Sequence, residues 1–187
     1  MKLLDCACVV EALVDIATEL AVIVTRTPSG ASSVFPTVEM EFHPTANLVE
    51  FLSCPAAINS DTDTRAAKIA LEVAQKMGIV GLLAVELFLT PAGDILVNEV
   101  APRPHNSGHH TIQACMTSQY EQHLRAIMDL PLRPTELLRP AAMVNLLGAE
   151  GHTGPAVYDG WANLLAIPEV YPHLYGKAST RTFRKKG

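Results

Sequence analysis

The chain has 187 residues, a formal net charge of −5, 49% apolar residues and 18% charged ones. That is enough chain to bury a core without disulfides, and too apolar a composition for extended disorder. No apolar run approaches the roughly 20 residues that a membrane helix needs, and the acidic balance argues against general nucleic-acid binding. The charge is uneven, however. The last eleven residues carry Lys177, Arg181, Arg184, Lys185 and Lys186 and no acid, which leaves nine basic residues against 19 acids over residues 1–176. A basic end of this kind reads as a solvated tail or as a local anion site. Cys6, Cys8, Cys54 and Cys115 show neither C-x-x-C spacing nor a disulfide framework. The start lacks a signal-peptide pattern, so a reducing cytoplasm is the default expectation.

In chain order, residues 8–15 and 19–26 are rich in β-branched and apolar side chains and read as strands. Thr27, Pro28, Ser29 and Gly30 form a turn signal. Residues 32–42 continue as one strand, with Val38 and Met40 on one face and Glu39 and Glu41 on the other. Residues 47–53 complete an antiparallel meander. Residues 62–77 change to a helical period, with Ala66, Ala70, Val73 and Met77 as the buried stripe, Asp61 or Thr62 as cap and Gly78 as stop. Strands 81–89 and 94–100 flank a short loop around Pro91, Ala92, Gly93 and Asp94 and predict a hairpin. Pro102, Pro104 and Gly108 exclude regular structure over 101–110. A helix is expected over 111–128, with Ile112, Met116, Tyr120, Leu124 and Ile127 inward. After a proline-marked connection come a strand at 141–148, a loop at 149–157, a short helix at 159–166 and an edge strand at 169–176. Strands and helices mix without strict alternation, so the fold class is α+β.

The hairpin carries the chemistry. If Thr90 pairs with Ile95, Glu86 lies opposite Glu99, and Phe88 and Val97 share their face. Opposed side chains have Cβ atoms roughly 5 Å apart, and two carboxylates that close repel unless a cation intervenes. Oxygen ligands on a rigid sheet suit Mg²⁺ together with nucleotide phosphates; two solvent-facing acids are the other reading. Arg103, His105, Asn106, Ser107, His109 and His110 follow within eight residues and gather anion donors beside that pair. An ordinary polar loop that caps the next helix, through Ser107 or Thr111, is the other reading. Cys54 and Cys115 lie in apolar contexts and read as core.

The stretch VELFLTPAGDILVNEVAPRPHNSGHHT, followed by TSQYEQHLRAIMDLPL and the tail YGKASTRTFRKKG, resembles the N5-carboxyaminoimidazole ribonucleotide synthase family of the ATP-grasp superfamily. The resemblance runs from about Val9 to Gly187. It implies the C-terminal part of an ATP-grasp fold, an antiparallel sheet flanked by helices over 1–130, with a small β-rich C-terminal domain over 131–187. It implies ATP and Mg²⁺, and carboxylation of aminoimidazole ribonucleotide with bicarbonate through carboxyphosphate. Glu86 and Glu99 resemble the magnesium ligands, and Asn98 belongs to the nucleotide contact pair. Glu11, Ala12, Leu13 and Val14 resemble the hinge strand whose backbone meets adenine, and Glu19 the acid on the ribose hydroxyls. Arg103 and His105 look catalytic. Asn106 and Ser107 share the bicarbonate and imidazole loop, and Lys177, Arg184 and Lys185 look like the 5′-phosphate clamp, with Arg181 in the same segment. A cytoplasmic homodimer is implied too.

The sequence departs from the family pattern in places. Thr182 and Phe183 replace a usual Pro-Gly and Lys186 a usual Met. Phe42 stands where many relatives place His, a contact His43 could supply. Family members are roughly twice as long, with a glycine-rich N-terminal domain and a lid, so low turnover by this chain alone is expected. A formate-using purine transformylase and a non-catalytic folded fragment are the competing expectations.

Overall fold

In the computed structural model, residues 8–43 and 48–186 are described; Cys6 and the predicted strand start at Asn47 lie outside them. Seven antiparallel strands form the main sheet. They are β1 (Thr18–Arg26), β2 (Ser32–Val34), β3 (Val38–Phe42), β4 (Val49–Cys54), β5 (Gly81–Leu89), β6 (Ile95–Ala101) and β7 (Ala141–Val144). Their order is β6-β5-β1-β3-β4-β7, with β2 paired to β1. A two-stranded ribbon joins β8 (Gly154–Pro155) to β9 (Ser179–Thr180). No helix among the described residues is long and apolar enough to cross a membrane.

The pleat divides the sheet's two faces. Leu20, Val22 and Val24 of β1 and Leu83, Val85 and Leu87 of β5 are buried against helix α1 (Ser60–Lys76), which presents Ala66, Ala70 and Ala74. Small helix residues let the backbone approach these large strand side chains closely, and each of the latter contributes roughly 1.5–3 kcal/mol by burial. The opposite face carries Glu19, Ala21 and Ile23, and it holds the site.

Several elements differ from the expectation. Residues 8–17 form no regular structure apart from a bend: Val9, Val10 and Leu13 are exposed and find no packing surface among the described residues. The expected strand 32–42 breaks at residues 35–37, because Phe35 turns into the core and Pro36 has no amide to donate. Both halves still pair with β1. Asn59, not Asp61 or Thr62, caps α1 by accepting from the Thr62 amide at 2.8 Å. Ala74 replaces Val73 and Met77 in its buried stripe, and Met77 is exposed.

The expected helix 111–128 is two helices, α2 (Thr111–Ala114) and α3 (Gln119–Ile127). Cys115 leaves the helix to bridge with Leu137, and Ser118 starts a new one by capping the Glu121 amide. The inward set is then Gln119, Gln122 and Ala126, while Met116, Tyr120, Leu124 and Ile127 are exposed. Gln122 is satisfied by both main-chain groups of Arg133, so an amide replaces the expected apolar contacts. The strand at 141–148 stops at Val144, and the short helix is α4 (Trp161–Leu165). Residues 170–177 are irregular instead of an edge strand, with Pro172 inside them and Glu169 at φ 63° just before. Cys54 and Cys115 are buried, as expected of core residues.

Candidate functional site

The site grows out of the β5–β6 hairpin. Glu86 is opposite Glu99, as expected, but by a different route. Leu89 pairs with Ile95 and Leu87 with Val97, and a bulge at Asn98 then restores the Glu86–Glu99 pair. The expected Thr90–Ile95 register is therefore wrong at the turn, and Val97 opposes Leu87 instead of sharing the face of Phe88. Asn98 is the extra residue of the bulge and is exposed. A bulge re-aims side chains and strengthens local twist.

One ligand atom each from Glu86, Glu99 and His105 lie within 4.8 Å of one another. Burial, the charge of Glu99 and then the charge of Glu19 push the Glu86 carboxyl up to about 7. Burial holds the His105 imidazole down to about 4, with Arg103, Lys185 and His109 adding to the effect. The 3.5 Å approach of His105 Nε2 to Glu86 Oε1 is thus not a full ion pair at neutral pH.

The histidine's protonation follows from its other nitrogen. Nδ1 accepts from the Ser107 amide at 3.3 Å, and the Ser107 hydroxyl lies 2.9 Å away. A main-chain N–H only donates, so Nδ1 holds the lone pair and Nε2 the proton. His105 therefore presents a donor, and the hard oxygen set is the carboxylate pair. That pair fits Mg²⁺, which takes one or two carboxylates plus phosphate oxygens. Ser107 is buried behind His105 and braces it. Arg103 is exposed, and its charge reaches both Glu86 and His105.

Across the loop lies a second cluster. Asn106 donates to Asn145 Oδ1 at 2.9 Å and to Tyr175 Oη at 3.0 Å, and accepts from Lys185 Nζ at 3.2 Å. Asn145 anchors this node by donating to the Val49 carbonyl at 2.7 Å. Lys177 Nζ lies 5.2 Å from the Tyr175 ring centroid and donates to the Lys185 carbonyl at 2.9 Å. Burial lowers the Lys185 pKa, while Glu86 raises it. Arg184 stands apart: it is exposed, and among the described residues its guanidinium is 3.5 Å from Ser179 Oγ. Arg181 is exposed as well, whereas Lys186 is buried, donating to the carbonyls of Lys177 and Ser179 at 2.6 Å each. The basic end is thus folded back, with Leu147 bridging Lys185.

Glu19 lines an open recess of about 370 Å³ with Ile16, Glu39, Glu41 and Phe42, and burial raises its pKa. Glu11, Ala12 and Leu13 are exposed and Val14 half-buried, outside that recess and outside any strand. The ring of His43 lies 5.1 Å from that of Phe183. Sequence reasoning missed Asn145 and Tyr175 as partners of Asn106, and Gln119 beneath the loop. Their spacing carries no local signal, since the bonds span 39, 69 and 14 residues.

The fold is α+β, and its site sets a carboxylate pair beside a lysine cluster. Residues 1–120 match the ATP-grasp domain, and residues 141–187 match the phosphoribosylaminoimidazole carboxylase C-terminal domain. The chain belongs to the ATP-grasp family. It is 45% identical over 181 residues to N5-carboxyaminoimidazole ribonucleotide synthase of Bacillus subtilis (strain 168), covering 96% of this chain and 45% of that protein. The crystal structure of N5-carboxyaminoimidazole ribonucleotide synthetase from Thermotoga maritima superposes with a TM-score of 0.86 at 48% identity, covering 95% of this chain and 47% of that one. The synthase from Aspergillus clavatus, in complex with ADP and 5-aminoimidazole ribonucleotide, gives 0.82 at 32% identity, covering 94% and 46%. The chain spans about half the length of these relatives.

Proposed function

We propose that this chain forms the carboxylate- and phosphate-binding part of an ATP-dependent ligase that carboxylates 5-aminoimidazole ribonucleotide. The observation that carries the reading is the Glu86, Glu99 and His105 cluster, linked through the Asn106 loop to Lys185 and Lys177. The match of residues 141–187 to the carboxylase C-terminal domain favours this over a formate-using relative.

In this reading Glu86 and Glu99 hold Mg²⁺, which supplies charge neutralisation for phosphoryl transfer when bound. Glu19 takes the ribose hydroxyls of ATP, and Glu11, Ala12, Leu13 and Val14 supply main-chain contacts to adenine, with Asn98 beside the nucleotide. A bicarbonate oxygen attacks the γ-phosphorus, the bond to ADP breaks, and carboxyphosphate forms. Arg103 and the His105 Nε2–H donate to the anionic oxygens, which counts most where the acceptor's charge develops. Carboxyphosphate releases CO₂ and phosphate; the exocyclic amine bonds to the carbon and loses a proton. Asn106 and Ser107 frame the imidazole, while Lys177, Lys185 and Arg184 take the 5′-phosphate. Residues 1–130 would then form the ATP-grasp portion and 131–187 the small C-terminal domain, in a cytoplasmic homodimer.

Calorimetric titration with ATP tests the reading. Binding should require Mg²⁺ and vanish in Glu99→Gln with the fold retained. Binding that is equal with and without Mg²⁺, or unchanged in the variant, contradicts it. ADP release that responds to formate and not to bicarbonate would transfer the assignment to the other ligase class.

A further inference from the structure

The polar bonds around His109 decide a proton position, and with it the behaviour of Tyr175. Gln119 is fully buried under the site loop. Its Oε1 accepts from the His105 amide at 2.8 Å, and its Nε2 donates to the His105 carbonyl at 2.8 Å. It thereby pairs with that peptide as a neighbouring strand would. The amide orientation is forced, because a main-chain N–H can only donate and a carbonyl only accept. The second proton on Gln119 Nε2 then faces His109 Nδ1, 3.2 Å away. That nitrogen must carry a lone pair, and the Tyr120 hydroxyl, 3.1 Å from it, can share the same acceptor.

A ring whose Nδ1 is bare is neutral, and burial, with the charges of His173 and Lys185, lowers the His109 pKa in the same sense. Its single proton is then on Nε2, which lies 3.0 Å from Tyr175 Oη. The other neighbour of that hydroxyl is equally constrained. Lys185 has protons only, so Asn106 Oδ1 faces it and Asn106 Nδ2 faces Tyr175. Tyr175 thus receives two donors, and its own proton has no acceptor within this network. The hydroxyl belongs to the same cluster as Lys177 and Lys185.

Gly108 makes the arrangement sterically possible. A Cβ there would meet Ile23 Cδ1 and come within 2.6 Å of Gln119 Cδ. Thr111 adds a further tie, donating to the Gly108 carbonyl at 2.6 Å and accepting from the Gln119 amide at 2.9 Å.

We propose that Gln119 is a positioning residue that fixes His109 as its Nε2–H tautomer, and that this makes the Tyr175 hydroxyl a hydrogen-bond donor to the phosphorylated ligand of the lysine cluster. The ligand half of this assignment rests on the functional reading above; the tautomer half does not. Tyr175 selects for a ligand oxygen or nitrogen that accepts, in a place where a histidine-bound hydroxyl would select for a donor.

Long-range ¹H–¹⁵N spectra of the full chain at about pH 8, above the ordinary imidazole range, read the tautomer directly. The expected result is a protonated Nε2 and a bare Nδ1 in His109. In Gln119→Glu, which replaces the donor with an acceptor, the proton should move to Nδ1. A protonated Nδ1 in the unsubstituted chain, or a bare Nδ1 in a folded Gln119→Glu chain, overturns the proposal. Should that variant fail to fold, the unsubstituted spectrum and Tyr175→Phe decide.

Tyr175→Phe should keep the His109 tautomer and weaken 5-aminoimidazole ribonucleotide binding about threefold to tenfold, the range of one net hydrogen bond. Unchanged affinity overturns the donor role. If the unsubstituted chain does not bind the ribonucleotide, the functional reading fails, and the spectrum alone decides the hydrogen-bond assignment.

Discussion

The two sides of the site are held by different physics. Glu86 and Glu99 project from a hairpin whose other face is packed under α1 by Leu83, Val85 and Leu87. Lys177 and Lys185 project from a segment with little regular structure, fixed by bonds to carbonyls and to Asn106. The first side has its geometry set by strand register and apolar burial, with large energies and little freedom. The second depends on polar contacts, each with a modest net contribution. The carboxylates should thus keep their spacing under conditions in which the lysine cluster loosens.

Substitutions can break this contrast, and the largest effect should come from the sheet. Leu83→Ala should cost about 2–5 kcal/mol, the range for a buried leucine, read as a lower midpoint in urea. A loss below 1 kcal/mol would contradict the packed-sheet account. Next is the pH dependence set by Glu86 in chain free of divalent metal. Its folded pKa of about 7 is raised, so its contribution is full below the unfolded value and is lost as pH rises toward and through 7. Glu86→Gln should therefore gain on the parent by about 1–3 kcal/mol between pH 4.5 and 8. His105 opposes this within the parent: its lowered pKa makes its contribution full above the unfolded value and lost as pH falls toward 4. A difference between variant and parent that stays flat with pH would contradict the raised Glu86 pKa, and with it the burial and the Glu99 repulsion behind it.

On the polar side, Lys186→Met should raise hydrogen exchange across residues 177–186 with little change in the global midpoint. A global loss equal to that of Leu83→Ala would erase the contrast. The smallest effect belongs to Arg139→Ala, which removes the exposed 2.6 Å pair with Glu169 and should cost about 0.5 kcal/mol or less by thermal melting.

The same contrast explains what could be read in the sequence. The α1 helix, the β5–β6 hairpin and the Glu86–Glu99 opposition follow from local periodicity, although the bulge at Asn98 shows that the right pair came from an incorrect turn register. A bulge depends on sheet twist and neighbours, which residue alternation does not encode. Residues 8–15 and 169–176 look like strands because the first is apolar with several valines and the second carries Val170, Tyr171, Leu174 and Tyr175, yet composition does not supply a partner edge. Gln119, Gln122, Asn145 and Lys186 could not be placed in advance. Their burial depends on main-chain groups distant in sequence or set by loop conformation, and polar residues inside a helix ordinarily read as a solvated face. The tail's basic character was legible, but the division between Lys185 at the loop and Arg184 facing solvent was not.

The claim that Glu86 and Glu99 form a divalent-cation site for nucleotide is tested most directly by anomalous scattering from crystals of the chain soaked in Mn²⁺ and a non-hydrolysable ATP analogue. The account predicts a single strong peak between the two carboxylates, bonded to oxygens of both and to the analogue's phosphates, with His105 Nε2 outside the coordination sphere. A peak elsewhere, or none between Glu86 and Glu99 with the nucleotide bound, would contradict it.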